Sequence, residues 1–329
     1  MQSGTTWSAL VVSALTLVVG ACADTPTSTE PASTPPAPAV QFDRTSHPLT
    51  GPAGSTVFYS ARTGDLEIYV MDPDGDDVQR ITESPGEDIW PDLSPNGRFV
   101  VFASLRTGNR EIFVTDLQTD EVWNVSNSGG DDNWPRWSPN GREIAFHSNR
   151  AGNYELYVVQ IDGLGLRRVT NNPVLDQWPD WSPDGKQLAF RRGMDVYVID
   201  ADGEEQNPRA LTNLPLTVDQ MPVWSPNGQQ IAFMSARAGY CSVFLMNATG
   251  DTPADPAVNL TPKNPGDANS QWCSRAPAWS RDGQHIYFMS FRPETGGAGA
   301  AFNEIYVMNA DGSGVRRLTE SAGEDGGAQ

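Results

Sequence analysis

The sequence predicts an all-β protein, a six-bladed β-propeller whose blades are four-stranded antiparallel sheets. An eleven-residue phrase recurs along the chain as "DLSPNGRFVVF", "RWSPNGREIAF", "DWSPDGKQLAF", "VWSPNGQQIAF" and "AWSRDGQHIYF". Its second residue is Leu93, Trp137, Trp181, Trp224 and Trp279, so the copies lie 44, 44, 43 and 55 residues apart. A repeat of about 40–45 residues is typical of propeller blades. The 31 glycines, 26 prolines and 10 tryptophans, without helical periodicity, also favour short strands joined by turns.

Each repeat predicts four strands, named A to D. Strand A ends in Trp-Ser, and Ser-Pro-Asn/Asp-Gly forms a tight turn, because proline suits its second position and glycine accepts a positive φ. "REIAFHS" then alternates as a half-buried strand B should, and "YELYVVQ" supplies strand C. A second turn, "DPDG" or "NADG", leads to a strand D that ends in "RIT", "RVT" or "RLT".

Counting the B–C–D signature predicts six blades within residues 45–329. The copies begin at Val57, Val100, Ile144, Leu188, Ile231 and Ile286. The first copy lacks the Trp-Ser phrase, and His47–Gly54 ("HPLTGPAG") is predicted to serve as its degenerate strand A. Six blades closed into a ring leave only short, protected strand edges.

The N-terminal part predicts export. Ala9–Val19 is an apolar run that is too short to cross a bilayer, and it is typical of the signal peptide predicted for residues 1–21. Val19–Cys22 ("VGAC") resembles the lipobox of bacterial lipoproteins, which implies cleavage before Cys22 and a lipid on its thiol. The alternative is an ordinary secretory signal cut nearby. Residues 22–44, rich in Pro, Thr and Ser, predict an extended tether.

Charge limits the class of partner. The net charge of −19 disfavours binding of nucleic acid and adhesion of the propeller to anionic lipid, so we expect membrane contact through the lipid anchor only. The same charge fits a generic solvated surface or a basic partner. The three histidines occupy variable positions of the repeat, so the sequence predicts no catalytic residue, no metal site and no cofactor. We expect a monomer.

Two cysteines are predicted to lie close together. Cys241 opens strand C of blade 5, and Cys273 lies in the loop from blade 5 to blade 6. In a four-stranded meander the B–C loops and the loops between blades emerge on one face. Disulfides persist in exported proteins, so we expect a Cys241–Cys273 disulfide. A metal site is less favoured, because no histidine is near either cysteine.

The same face carries a repeated set of acidic and apolar side chains. Five residues before the Trp position stand Asp88, Asp132, Asp176 and Asp219. Three residues before it stand Trp90, Trp134, Trp178 and Met221. With Trp272, in the enlarged loop into blade 6, these side chains are predicted to surround the channel mouth and to bind a basic peptide segment or a cation. Alternatively, the aspartates pair with the Ser-x-Arg motif that ends strand B and serve the scaffold.

The repeat resembles that of the TolB-like propellers. The matching pattern, "PxWSPDGxxIAFxSxRxGxxEIYVMxxDGxxxRRLT", extends over roughly residues 55–320. The resemblance implies the six-bladed fold and binding of another envelope protein. TolB proteins carry an α/β domain ahead of the propeller, where this chain has its tether. We therefore expect an exported, membrane-anchored protein-binding or scaffolding module of the bacterial cell envelope, on the periplasmic or another extracytoplasmic side. The alternatives are a carbohydrate-active enzyme, since related propellers include polysaccharide lyases, and a small-ligand or metal-binding propeller.

Overall fold

The computed structural model describes residues 55–203, 205, 207–263, 273–291, 302–321 and 323–329. These residues belong to one compact unit, Pro38–Gln329. The predictions for residues 1–44, which include Cys22, and for His47–Gly54 and Trp272 lie outside the described residues.

The described strands form six four-stranded antiparallel sheets, as the sequence predicts. Blade 1 contains β24 (Asp325–Gly326), β1 (Thr56–Ser60), β2 (Glu67–Met71) and β3 (Gln79–Arg80). Blade 2 contains β4 (Asp88–Leu93), β5 (Phe99–Ser104), β6 (Glu111–Asp116) and β7 (Val122–Asn124). Blade 3 contains β8 (Asp132–Trp137), β9 (Glu143–Ser148), β10 (Glu155–Gln160) and β11 (Arg167–Arg168). Blade 4 contains β12 (Asp176–Trp181), β13 (Gln187–Arg192), β14 (Asp195–Asp200) and β15 (Arg209–Ala210). Blade 5 contains β16 (Asp219–Trp224), β17 (Gln230–Ser235), β18 (Ser242–Asn247) and β19 (Val258–Asn259). Blade 6 contains β20 (Ser274–Trp279), β21 (His285–Ser290), β22 (Glu304–Asn309) and β23 (Arg316–Arg317).

The core repeats blade by blade around one phenylalanine of strand B. These phenylalanines are Phe58, Phe102, Phe146, Phe190, Phe233 and Phe288, each at most 1% exposed. Each packs against the aromatic residue that pairs with it on strand C, with ring centroids 5.6–6.2 Å apart. Because aromatic rings bury large apolar areas, this pair holds the two central strands of every sheet together and supplies much of its core.

The ring closes differently from the prediction. The innermost strand of blade 1 is β24, from the C-terminal end of the chain, in the place that we assigned to His47–Gly54. Tyr59 pairs with Gly326, and the amide of Gln329 donates to the carbonyl of Val57 at 2.9 Å. β24 also packs against β21 and β22, so it joins blade 6 to blade 1. The two ends of the propeller therefore share one sheet.

A sequence signal for this closure exists. "ESAGED", which precedes β24, repeats "ESPGED", which precedes β4, and the aspartate stands at the same distance from the end of strand D in both. The described chain after Thr319 thus supplies the first strand of a blade, whose other three strands lie at the other end of the propeller.

Candidate binding site at the inner strands

Five inner strands, β4, β8, β12, β16 and β20, contain a β-bulge with a left-handed residue inside it. The register against strand B shifts there, for example between Ile89 and Asp92. These residues are Trp90 (φ 53°), Trp134 (54°), Trp178 (57°), Met221 (54°) and Ala276 (49°), and Gly327, directly after β24, also has a positive φ of 63°. This conformation costs a residue other than glycine about 1–2 kcal/mol. The bulge aims the side chain at a place that a regular strand would not reach.

The bulge residues meet in one hydrophobic cluster. The cluster includes Trp134, Met221 and Ala276, with Trp90 and Trp178 packed against it. Side chains from so many blades can meet only where the inner strands converge, near the centre of the ring. The structure therefore brings together the tryptophans and the methionine predicted for the channel mouth.

The three tryptophans form a continuous aromatic stack. The ring centroids of Trp90 and Trp134 are 4.2 Å apart, and those of Trp134 and Trp178 are 6.3 Å apart. Tyr59 extends the stack, 5.1 Å from Trp90. Trp134 is buried and its Nε1 has no hydrogen-bond partner among the described residues, whereas Trp90 and Trp178 are half-buried. The stack thus offers two partly exposed indoles to a ligand.

The four predicted aspartates have no exposed surface. Each forms an ion pair at the end of strand B: Asp88–Arg106 at 2.8 Å, Asp132–Arg150 at 2.8 Å, Asp176–Arg192 at 2.7 Å and Asp219–Arg237 at 2.8 Å. Asp325 of β24 repeats the pair with Arg62 at 3.1 Å. Each guanidinium also lies 4.7–5.5 Å from the two core aromatic rings of its blade. A basic ligand could reach these carboxylates only by displacing the arginines, so the geometry supports their alternative role in the scaffold.

A second buried carboxylate, Glu67, takes part in hydrogen bonds that connect neighbouring blades. Glu67 opens strand C of blade 1 and accepts a hydrogen bond from the Thr82 hydroxyl at 2.6 Å and one from the Ser84 amide at 3.0 Å. The Ser84 hydroxyl reaches Asp88 of blade 2 at 3.1 Å. Burial raises the pKa of Glu67 despite these bonds, and the charge of Asp88 adds to the effect. Glu111 repeats the arrangement with Ser126 and Ser128.

Sequence reasoning missed a charged group on the inner strands. Asp92, Arg136 and Asp180 each precede the Trp position in blades 2, 3 and 4. Arg136 Nε lies 3.5 Å from Asp180 Oδ1, and Arg136 is 4% exposed. Burial raises the pKa of Asp180 to about 7, although the positive charge of Arg136 acts against it. The Asp-Arg-Asp alternation in "PDL", "PRW" and "PDW" was the available signal.

The structure brings the two cysteines together as free thiols. A hydrogen bond from Cys273 lowers the pKa of the Cys241 thiol to about 6. The backbone explains the approach, because the amide of Ser274 donates to the carbonyl of Cys241 at 3.1 Å. The equivalent bond between blades 2 and 3 runs from Asp132 to Arg110 at 2.8 Å. The cysteines thus occupy a contact position between blades, and the disulfide stays a prediction.

Two further properties concern the described ranges only. They contain no group of three or more His, Cys, Asp or Glu side chains placed to hold a metal ion. No helix in them is long and apolar enough to pass through a membrane.

Comparison with known proteins relates the fold to one family of propellers. Residues 66–194 match the family model described as the TolB beta propeller domain. A stretch of 45 residues is 49% identical to the Tol-Pal system protein TolB of Geobacter sulfurreducens; it spans 14% of this chain and 10% of the length of that relative. The solved structure of putative TolB from Agrobacterium tumefaciens has a TM-score of 0.63 at 21% identity, over 83% of this chain and 90% of that chain. TolB from Acinetobacter baumannii gives 0.65 at 20% identity, over 84% of this chain and 67% of that chain. At such identity, the structural likenesses show the fold.

Proposed function

We propose that this chain, which carries a TolB-like six-bladed propeller, is a protein-binding module of the bacterial cell envelope. In this proposal it is exported and held at a membrane by a lipid on Cys22, and its propeller binds a segment of another envelope protein. The name of its relative, a Tol-Pal system protein, supports an envelope role. The identity of the partner does not follow from that name, because the match spans a tenth of the relative's length.

The observation that carries the proposal is the aromatic stack on left-handed backbone. Trp90, Trp134 and Trp178 hold φ values of 53–57°, where glycine would be free of strain. Such strain persists only where the surrounding fold imposes it, and it is concentrated at functional sites. Two of the indoles remain half-exposed near the centre of the ring. Tryptophan is enriched among the residues that dominate protein–protein affinity.

The aromatic stack lies close to one of the two faces of the propeller. We call it the D–A face, because it carries the loops between blades, such as 125–131, together with the B–C loops, such as 105–110. Strand A begins at this face, and the bulge residue is its third residue. A segment that arrives from the D–A face would therefore meet Trp90 and Trp178 first.

Capture of the partner from native envelopes tests the proposal. An epitope is inserted after Leu164, an exposed residue on the opposite face, and the full chain is isolated from gently solubilised envelopes. A Trp90→Ala/Trp178→Ala variant is compared with it; alanine is compatible with the backbone, since Ala276 occupies the same position in blade 6. The matched control is Trp123→Ala, a half-buried tryptophan of the outer strand whose Nε1 donates to Ile161 at 2.8 Å.

One stoichiometric partner, lost in the double variant and kept in Trp123→Ala, is the expected result. A partner that both variants retain would place binding elsewhere on the chain. Absence of any partner in native envelopes would contradict the protein-binding function.

A further inference from the structure

The side chains at the rim of the D–A face change from charged to apolar around the ring. At each junction between blades, the amide of the Asp position donates to the carbonyl of the residue that precedes strand C in the blade before. Asp176 reaches Tyr154 in this way at 2.9 Å, and Asp219 reaches Met194 at 2.8 Å. The side chains on either side of this bond therefore line the rim at every junction.

Around blade 2 and its junction with blade 3 the rim is charged. Arg110 Nη2 and Glu87 Oε2 form an ion pair at 2.5 Å, and the Arg110 amide donates to Asp131 at 3.2 Å. At the corresponding positions of blades 4 and 5 stand Leu175, Met194 and Val218, so the rim there is apolar.

Five exposed apolar side chains gather at this part of the rim. They are Val174, Leu175, Met194, Leu214 and Leu216, which we call the blade-4 patch. Their loops are adjacent, because the amide of Gly193 donates to the carbonyl of Leu175 at 3.2 Å and the next residue, Met194, is bonded to Asp219.

Leu216 stands out within the patch. It is 96% exposed and holds a left-handed backbone, with φ at 59°. A leucine that combines strain with full exposure gains nothing in the isolated fold, whereas burial under a partner would recover its apolar area. Groups of exposed apolar residues on soluble proteins mark interaction sites.

Arg191 stands at the inner edge of the patch. Arg191 lies 5.0 Å from the ring of Trp178, and its Nε donates to the carbonyl of Gly193 at 2.5 Å. The equivalent residues of the other blades carry no guanidinium; they are Tyr59, Ala103, His147, Met234 and Met289. Arginine at this position is therefore a feature of blade 4 and is not required by the repeat.

Arg191 lacks the counter-ion that its neighbour has. Arg192 pairs with Asp176 at 2.7 Å and Glu205 at 2.9 Å, whereas no carboxylate of the described residues lies within ion-pair distance of Arg191. Burial lowers the pKa of the Arg191 guanidinium, and no negative charge opposes the effect. Among the described residues Arg191 donates only to neutral acceptors, the carbonyl of Gly193 and, at 3.4 Å, Gln220 Oε1. A half-buried cation without a counter-ion is an unfavourable arrangement that an incoming carboxylate would relieve.

We propose that the blade-4 patch docks a partner-protein segment in which one acidic side chain is flanked by apolar residues. The carboxylate accepts hydrogen bonds from Arg191, and the apolar neighbours cover Leu175, Met194 and Leu216. The inference deepens the proposed function, on which it rests, by naming the chemistry of the partner segment. The site lies beside the aromatic stack, since Arg191 stacks on Trp178.

A defined peptide probe tests this docking. A phage library of random twelve-residue peptides is selected on the full chain, immobilised through the epitope after Leu164, and the selected peptides are synthesised. We expect a consensus with Asp or Glu between large aliphatic or aromatic residues. Arg191→Met, which installs the residue that blades 5 and 6 use, is expected to weaken binding about 10- to 100-fold, because hydrogen bonds to charged groups are strong.

Matched controls separate docking from general effects. Arg142→Met removes an exposed arginine of the opposite face and is expected to leave affinity unchanged. Leu216→Ser is expected to weaken binding several-fold, and Leu164→Ser, at a 66% exposed leucine of the opposite face, is expected to have no effect. Raising the salt concentration is expected to lower the affinity of the wild-type chain and to have little effect on Arg191→Met.

Other outcomes would overturn the inference. They are the absence of enriched peptides, a basic or purely apolar consensus, unchanged affinity in Arg191→Met, and Leu216-dependent binding to phosphatidylcholine vesicles in place of peptides.

If envelope capture depends on Trp90 and Trp178 but not on Arg191, the protein-binding function stands and the blade-4 patch has no part in it. If capture fails and the acidic peptides bind as described, the patch recognises such segments but the envelope function is contradicted.

Discussion

Arg62 Nη2 and Asp325 Oδ2 lie 3.1 Å apart although 263 residues separate them in sequence. The pair repeats, in the sheet built from both ends of the propeller, the ion pair that blades 2 to 5 form from consecutive strands. Ring closure therefore relies on the same buried pair as the ordinary blades, together with the short ladder between β1 and β24.

Removal of the closing carboxylate should destabilise the whole ring. Asp325→Ala leaves Arg62 partly buried without its counter-ion, which costs about 3–5 kcal/mol when a buried pair is broken. Urea unfolding followed by tryptophan fluorescence measures the change. Asp311→Ala, in an exposed turn of blade 6, is the control and should change stability little. Equal stability of the two variants would contradict a closing role for the Arg62–Asp325 pair.

Gly327, directly after β24, should tolerate a side chain poorly, although the corresponding residues of blades 2 to 4 are tryptophans. A Cβ on Gly327 would lie 2.8 Å from Tyr59 Cε1, and φ there is 63°. Gly97 has a similar φ of 71° and open space around it, so Gly97→Ala measures the strain alone, about 1 kcal/mol. Gly327→Ala should cost about 1–3 kcal/mol more, because overpacking is added to the strain. Tyr59→Ala in the same chain should remove that excess; failure to do so would mean that the clash is not with Tyr59.

Asp180 of β12 should make stability depend on pH. The pKa of Asp180 is about 7 in the folded chain, above that of an unfolded aspartate, so the native state binds more protons than the unfolded state between these values. The contribution of Asp180 is fully present near pH 4 and is lost as pH rises through about 7. The groups facing it, Arg136 and Asp92, remain in Asp180→Asn.

We expect the stability difference between wild type and Asp180→Asn to change by on the order of 2–4 kcal/mol across this range. Unfolding midpoints of the two proteins from pH 4.5 to 8 give the difference directly. A difference that is constant with pH would show that the pKa of Asp180 is not raised.

The two cysteines should form a disulfide when an oxidant is supplied. The Cys241 thiolate attacks oxidised glutathione, one glutathione thiol leaves, and the Cys273 thiol then displaces the second; the two thiols lose two electrons and two protons. Closing a loop of this length should stabilise the chain by about 2–4 kcal/mol. Thiol alkylation with mass spectrometry, and unfolding with and without reductant, measure both effects. Cys241→Ser should abolish the difference; free thiols after full oxidation would exclude the disulfide.

Lipid attachment at Cys22 is the remaining prediction. Cys22→Ser should block lipidation and shift the protein from the membrane to the soluble fraction, because the thiol is the site of lipid attachment implied by the lipobox. Metabolic labelling with a palmitate analogue and membrane fractionation measure the change. Cys241→Ser serves as the control, since it should keep the label. Membrane retention of an unlabelled Cys22→Ser protein would contradict a lipid anchor.

The sequence by itself determined the architecture of the repeating blade. The turn residues, the alternation of strand B and the buried phenylalanine all act within a blade, so the strands, their order and the number of sheets could be predicted from local patterns. The approach of Cys241 and Cys273 was also predictable, since loop polarity in a meander places them on one face.

Other features depend on contacts between residues distant along the chain or on backbone geometry, and these only the tertiary structure decided. β24 enters blade 1 because only closure of the ring brings Asp325 to Arg62. The aspartates at the supposed channel mouth became internal counter-ions, since Arg106 and its equivalents turn inward over the core rings. The left-handed bulges carry no residue signature, as Trp90, Met221 and Ala276 all adopt them. Burial of Asp180 and exposure of Leu216 likewise follow from the assembled ring, because neither is set by neighbouring residues in sequence.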